Sequence, residues 1–344
     1  MSQLGKIVVG ILATWTLLLL SVPVQAGDTI TRIKARNNLR CGVSDGILGL
    51  SMQDQNGRWS GIDVDFCRAL GAAVLGDSEN VSFVPLAASA RFSALKGGSV
   101  DVLVRNTTWT MEREAVLGVL FTGILYYEGQ GFLVSKSSGI QELSQLNRAT
   151  ICVVNGTNHA GQLSQIFGVK GWDFQPVLVE SPAMAVETLR EGSCKAYTSE
   201  RPQLMAAMGG AAGGPDQYLI LPVEVSTVPM GPVVLGGDHE WFTLVRWILF
   251  TLIRAEDGGY TKANVRARLD HSDDYRARSW KELDGLIAKS LNIEAGWGIR
   301  AVESAGNYGE IFERNLGEHS VLKLERGLNK LWKDGGLMYA PPFR

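Results

Sequence analysis

The run Arg105 to Arg113, reading RNTTWTMER, gathers the residue types of an anion-binding turn into one short stretch. It follows the apolar, β-branched run Val100 to Val104, so the chain leaves a buried strand and enters a polar turn. Thr110 stands where an N-cap belongs, and Glu112 falls in the first helical turn. That arrangement leaves the backbone N–H groups of Asn106 to Thr108 free beside the guanidinium of Arg113. Amides and a planar fork of donors suit a carboxylate, because the fork meets two oxygens at once. Arg113 paired with Glu112 or Glu114 on a solvated face is the competing reading. This stretch alone leaves both open.

A second strand, turn and helix start lies further on. Ala149 to Val154 reads as a strand, Asn155-Gly156-Thr157-Asn158 as the turn, and a helix begins near His159. A helix N-terminus again suits an anion, although a simple β–α turn has the same pattern. Near the start, Leu39 to Val43 reads as a strand that runs into Ser44-Asp45 and a Gly-punctuated loop. Open α/β sheets place ligands at such strand ends. The histidines (His159, His239, His271, His319) are scattered and read as ordinary surface or core residues. The cysteine spacings match no zinc pattern, and P-loop, GxSxG and HExxH motifs are missing. No catalytic group, metal or cofactor is therefore expected.

The elements that must position these residues begin after a leader. Lys6, the apolar run Ile7 to Leu20, Pro23 and Val24-Gln25-Ala26 follow the order of a secretory signal cut after Ala26. The apolar run is short for a membrane span. The first cysteine is Cys41, too far along for a lipid anchor, so a periplasmic protein without an anchor is expected. Export makes the cysteines candidates for disulfides. The chain has 33 basic and 35 acidic residues and no basic block, which argues against nucleic acid.

Removing residues 1–26 leaves enough chain for about two domains. Asn56-Gly57 marks a hairpin turn, and Asp63 is placed to cap a helix carrying Val64, Cys67, Leu70 and Val74. A strand at Val81 to Val84 and a helix at Ala90 to Leu95 then lead to Val100 to Val104. This alternation predicts parallel βαβ units. Further on, a helix at Pro182 to Arg190 precedes a strand at Cys194 to Ser199, with Glu200 at its end. Trp241 to Ile253 is the most apolar run of the mature chain and reads as a buried core helix. Trp280, Trp297 and Trp332 read as packing residues.

The runs GRWSGIDVDFCRALGAAVLGD, RFSALKGGSVDVLVRNTTWTMERE, YYEGQGFLV and GPVVLGGDHEWFTLVRWILFTLI resemble the periplasmic general L-amino-acid-binding proteins of polar amino-acid ABC transporters. The resemblance covers nearly the whole mature chain. It implies a type II periplasmic binding protein fold: two α/β lobes joined by two hinge crossings, with the ligand between them. Lobe 1 would comprise residues 27–131 plus 230–344, and lobe 2 residues 132–229. In that family an arginine in a Thr-x-x-Arg turn clamps the ligand α-carboxylate, and it matches Arg113. Two main-chain amides of the same turn match Asn106 and Thr108. The family's ammonium-binding aspartate is matched by Glu200, one methylene longer; its alternative partner is the adjacent Arg201.

Some pocket positions depart from the family. Asn158 follows Thr157 where a threonine or serine is usual, Leu50 replaces a common phenylalanine, and Ser44-Asp45 replaces an Asn-Thr-like pair. These departures bear on ligand identity more than on fold. Cys41 opens the first strand and Cys67 lies one turn inside the next helix. Cys152 and Cys194 lie on or beside strands expected to be neighbours. Bridges Cys41–Cys67 and Cys152–Cys194 are therefore expected, one per lobe. The resemblance implies a monomer that captures an amino acid or related carboxylate and delivers it to an inner-membrane ABC permease. A periplasmic lyase or dehydratase on the same fold, with Glu200 as its acid, and a ligand-sensing partner of a membrane receptor are the alternatives.

Overall fold

The computed structural model describes residues 28–211, 214–223, 225–271 and 275–344. The leader read at residues 1–26 lies outside them. Among the described residues two large sheets form, each built from parallel strands with antiparallel partners, beside a two-stranded hairpin of Met52–Gln53 and Trp59–Ser60. The first runs in the order Val81–Leu86, Leu39–Ser44, Val102–Leu103, Val233–Leu235 and Val119–Phe121. Its first three strands are parallel, and Val233–Leu235 lies antiparallel to both neighbours. The second sheet runs Tyr218–Ile220, Tyr126–Ser135, Ala196–Glu200, Thr150–Val154 and Gln175–Val179. Ala196–Glu200, Thr150–Val154 and Gln175–Val179 are parallel, and Tyr126–Ser135 is antiparallel to Ala196–Glu200. The two-lobe α/β architecture agrees with the sequence reading.

Each lobe buries its own core because each sheet is apolar on both faces and must be covered twice. In the first lobe the helices Ile62–Leu75, His239–Asp257, Trp297–Ala305 and Tyr308–Asn315 pack together against the sheet. Trp241 is buried and donates its indole N–H to the Asp101 carbonyl at 2.8 Å, which docks the apolar helix on the sheet. In the second lobe separate clusters cover the two faces, one around Tyr197 and Leu204, the other around Phe167 and Phe132. The disulfides are Cys41–Cys67 and Cys152–Cys194, as expected. Cys41–Cys67 ties a strand to the helix Ile62–Leu75, and Cys152–Cys194 ties a strand to the bend that leads into its neighbour Ala196–Glu200; each contributes about 3 kcal/mol by restricting the unfolded chain.

Two details differ from the sequence reading. Asp63 does not cap the helix Ile62–Leu75; Gly61 holds the N-cap position, and Asp63 is buried inside the first turn. Gly61 has φ 130°, and a Cβ there would lie 2.0 Å from the Leu50 carbonyl oxygen, so a larger residue cannot enter. Trp280 and Trp297 are buried, but Trp332 is 59% exposed and packs edge-on against Tyr339 at the surface. Its segment lies beyond the last core helix, where no second layer covers it.

The lobes are joined by strands running side by side. Tyr126–Ser135 pairs through Gln130 to Ser135 with the second sheet and through Tyr126 to Gly129 with Thr227–Met230, which leads back to Val233 in the first. Asn329, near the C-terminus, grips this crossing: its amide accepts from Tyr127 N–H at 2.7 Å and donates to Tyr127 C=O at 2.9 Å.

Candidate ligand-binding site

The parallel strands of both sheets end at one cleft, and the residues just beyond their C-terminal ends line it. Ala88 and Arg91 follow Val81–Leu86, Asp45 follows Leu39–Ser44, and Arg105, Asn106 and Thr108 follow Val102–Leu103. From the facing lobe come Thr157 and Asn158 after Thr150–Val154, Glu180 and Pro182 after Gln175–Val179, and Glu200 and Gln203 at the end of Ala196–Glu200. A strand terminus releases its last carbonyls and side chains from the sheet, so two such rows facing one another make a polar cavity between apolar lobes.

Arg113 reaches this cavity as the turn suggested. Thr110 caps the helix Met111–Leu117 by accepting from the Arg113 amide at 3.2 Å, and the side chain turns back so that Nη1 donates to the Thr108 carbonyl at 2.6 Å. The solvated alternative, with Arg113 on an outer face, does not occur: the residue is buried. Burial pushes its guanidinium down to about 10, with Glu200 pulling the other way. Asn106, Thr108, Thr157, Asn158, Asp45 and Glu200 line the same cavity. Ser44 does not; it is buried behind the site, where its amide and hydroxyl engage Ser51. The Asn106 amide faces the buried Asp63 carboxyl.

Four residues not singled out from the sequence also contribute. Arg91 is 3% exposed, donates through Nη2 to the Gly156 carbonyl at 3.2 Å, and leaves Nε buried without a partner. Arg105 donates Nε to the Leu86 carbonyl at 2.7 Å, with Nη2 3.9 Å from the half-exposed Asp45. Phe92 receives the guanidiniums of Arg91 and Arg113 at 4.9 and 5.5 Å from its ring centre. His159, read as an ordinary histidine, is 2% exposed and places Nε2 3.1 Å from Glu200 Oε1. The signal for Arg91 was its place just after a strand end, and for His159 its place at the start of the helix after the turn; neither position is diagnostic alone.

The buried charges do not balance; Asp45 and Glu180 also line the cavity but are exposed. Burial, then neighbouring Arg113 and Arg105, holds the Arg91 guanidinium well below its ordinary range. Burial pushes the Asp63 carboxyl well above the usual carboxylate range despite Arg105, so Asp63 is a poor counter-ion. Glu200 is also raised by burial, but the charge and hydrogen bond of His159, its own amide and Ser199 outweigh that and bring it down to about 2. Three buried guanidiniums thus share one firmly ionised buried carboxylate among the described residues of the cavity. Such a site costs energy when empty and is relieved by an anion.

The lobes already touch across the cleft. Thr108 Oγ1 donates to Asn158 Oδ1 at 3.3 Å, and Arg91 reaches Gly156. Gly156 sits at φ 78°, and a Cβ there would lie 2.6 Å from the Ser89 backbone of the opposite lobe. The left-handed cost of a side chain falls on open and closed forms alike, whereas this clash falls on the closed form alone. Gly156→Ala should therefore weaken ligand binding about tenfold, equivalent to roughly 1.4 kcal/mol against closure. Calorimetry and small-angle scattering test this; wild-type affinity with full ligand-induced compaction would refute it.

Comparison with known proteins decides the family. The model of the bacterial extracellular solute-binding proteins, family 3, matches residues 39–337. The chain belongs to that family. Within it, the chain is 39% identical to the general L-amino acid-binding periplasmic protein AapJ of Rhizobium johnstonii, over 93% of this chain and 94% of the relative. It is 40% identical to the glutamate/glutamine/aspartate/asparagine-binding protein BztA of Rhodobacter capsulatus, again over 93% and 94%. A solved ABC transporter periplasmic binding protein from Brucella ovis, with glutathione bound, superposes with TM-score 0.87 at 41% identity, covering 92% of this chain and all of that one. As a family 3 solute-binding protein, the chain captures its ligand without covalent chemistry, and the lyase reading falls away. No helix of the described residues is long and apolar enough to cross a membrane.

Proposed function

We propose that this solute-binding protein captures an acidic L-amino acid between its lobes and delivers it, as a monomer in the periplasm, to an inner-membrane ABC permease. The observation that carries the ligand class is the excess of buried guanidinium over buried carboxylate. An acidic amino acid brings two carboxylates and one ammonium, the complement of Arg113, Arg91 with Arg105, and Glu200. Arg113 takes the α-carboxylate with the Thr108 amide, Arg91 and Arg105 take the side-chain carboxylate, and Glu200 takes the ammonium. Asn106, Thr157, Asn158 and Asp45 complete the wall. Arg113 lies on lobe 1 (residues 27–131 and 230–344) and Glu200 on lobe 2 (132–229). A zwitterion therefore bridges the lobes only when they close, and closure is what the permease reads. The names of AapJ and BztA agree with an L-amino acid as ligand, and that of BztA covers both the acidic amino acids and their amides.

A second reading rests on the Brucella ovis structure. Glutathione also carries one ammonium and two carboxylates, more widely spaced, and an apolar groove formed by Ile47, Leu48, Met52, Ala183, Val186 and Met205 shares Pro182 and Gln203 with the polar cavity. A γ-glutamyl peptide would lay its distal end there. A thermal-shift and calorimetric screen of the amino acids, their deaminated acids and glutathione separates these readings. L-Glutamate or L-aspartate should bind at least about tenfold more tightly than the matching amide, since the amide leaves a buried guanidinium unpaired. Tightest binding by a neutral or basic amino acid would overturn the acidic reading.

A further inference from the structure

The feature left unexplained by that reading is the partner of Glu200. A glutamate at the end of a strand, facing three guanidiniums across a closing cleft, would be expected to fold onto one of them. Arg91, Arg105 and Arg113 each feel its charge. Yet its carboxylate stays on the wall of its own lobe: Oε1 meets His159 Nε2 at 3.1 Å, and Oε2 accepts from the Ser199 hydroxyl at 3.0 Å. The Ser199 hydroxyl lies equally near Gln203 Oε1, at 3.0 Å, and with a single proton it serves only one of them at a time. The Glu200 backbone amide also reaches the carboxylate, so His159 is the one side-chain tether among the described residues that does not divide its proton between two acceptors. Its ring makes no other hydrogen bond among the described residues, since Nδ1 is buried and unpartnered. Its backbone is held in turn, because the His159 carbonyl accepts from Gln130 Nε2 at 3.3 Å, and the same Nε2 donates to Thr198 Oγ1 at 2.8 Å.

We infer that His159 is a positioning residue for ligand recognition: it holds the Glu200 carboxylate back from the arginines of the facing lobe, so that the ligand's ammonium, and not the protein's own guanidinium, completes the pair. The inference rests on the reading that Glu200 takes the ammonium. A glutamate has one more rotatable bond than the aspartate it matches, and therefore more reach toward Arg113. If it paired there, the ammonium site and the α-carboxylate site would cancel each other, and selectivity for an amino acid over its deaminated analogue would fall. The imidazole N–H prevents that by offering a fixed donor at the carboxylate's own wall.

The test compares L-glutamate with glutarate, the same dicarboxylate without the amino group, by calorimetry on wild type, His159→Ala, His159→Phe, His159→Gln and Glu200→Gln. Wild type should prefer L-glutamate at least about tenfold, the scale of one charge-assisted hydrogen bond. Glu200→Gln should abolish the preference. His159→Ala and His159→Phe should lose most of it, because L-glutamate loses both its ammonium partner and the α-carboxylate site whereas glutarate loses only the latter. His159→Phe keeps the ring's volume, so it remains informative if the alanine variant does not fold. His159→Gln, which restores an N–H donor at similar reach, should recover most of the preference; a purely packing role would be rescued by phenylalanine instead. A preference present in wild type, absent in Glu200→Gln and undiminished in both His159→Ala and His159→Phe would overturn the role of His159 alone. Equal binding of the two compounds by wild type would overturn the ammonium reading of Glu200.

Discussion

Arg113→Ala should lower ligand affinity more than a hundredfold while the ligand-free protein remains folded. The substitution removes a charge-assisted fork and leaves the ligand carboxylate desolvated without its partner, a cost of about 3 kcal/mol. Within the protein it removes the bond from Nη1 to the Thr108 carbonyl and the contact with the Phe92 ring. It also relieves crowding among three buried cations, so the empty protein should melt no lower than wild type. Arg113→Lys should not rescue binding, because an ammonium cannot present two parallel donors to one carboxylate. Calorimetry on all three proteins is the check, and near-normal affinity in Arg113→Ala would rule the role out.

Arg91→Met should separate acidic from neutral ligands. Methionine fills much of the volume without the charge, so the variant should lose about 2 kcal/mol, some thirtyfold, of L-glutamate affinity. L-Glutamine, which needs no cation at its side chain, should change less than about threefold. The sign for the empty protein is opposite. Arg91 is buried, its Nε has no partner, and two further arginines press on it, so its removal should raise the melting temperature. Equal losses for both ligands would mean that Arg91 serves closure through Gly156 and does not read the side chain.

The local parts of this protein were legible in its residues. Alternating apolar runs and Gly-containing turns specify βαβ units, because a strand and a helix each declare themselves within a few residues. Thr110 as N-cap and Arg113 one turn later form a contact between near neighbours, so the turn that aims Arg113 is written in order along the chain. The cysteine pairs lie within single lobes and followed from the same local elements. Glu200 was found through its match to a family position. What its carboxylate faces was not foreseeable from its neighbours in sequence, since His159 lies far away along the chain.

The balance of charge in the cleft was decided by the tertiary structure alone. Arg91 sits in a short helix read only as the link between two strands, and Arg105 opens a turn read for the other arginine at its end. Singly, each looks like a solvated cation. Only when Val81–Leu86 and Val102–Leu103 lie in one parallel sheet do their ends converge and bury both guanidiniums beside Arg113. The same holds for Asp63, whose place in sequence suits a cap, whereas close approach to the Leu50 carbonyl required Gly61 at that point and drew Asp63 inside. Sequence patterns report what a residue does to its own helix or strand. Desolvation and the meeting of like charges depend on which strand ends the fold brings together, and those two effects decide which ligand this cleft can hold.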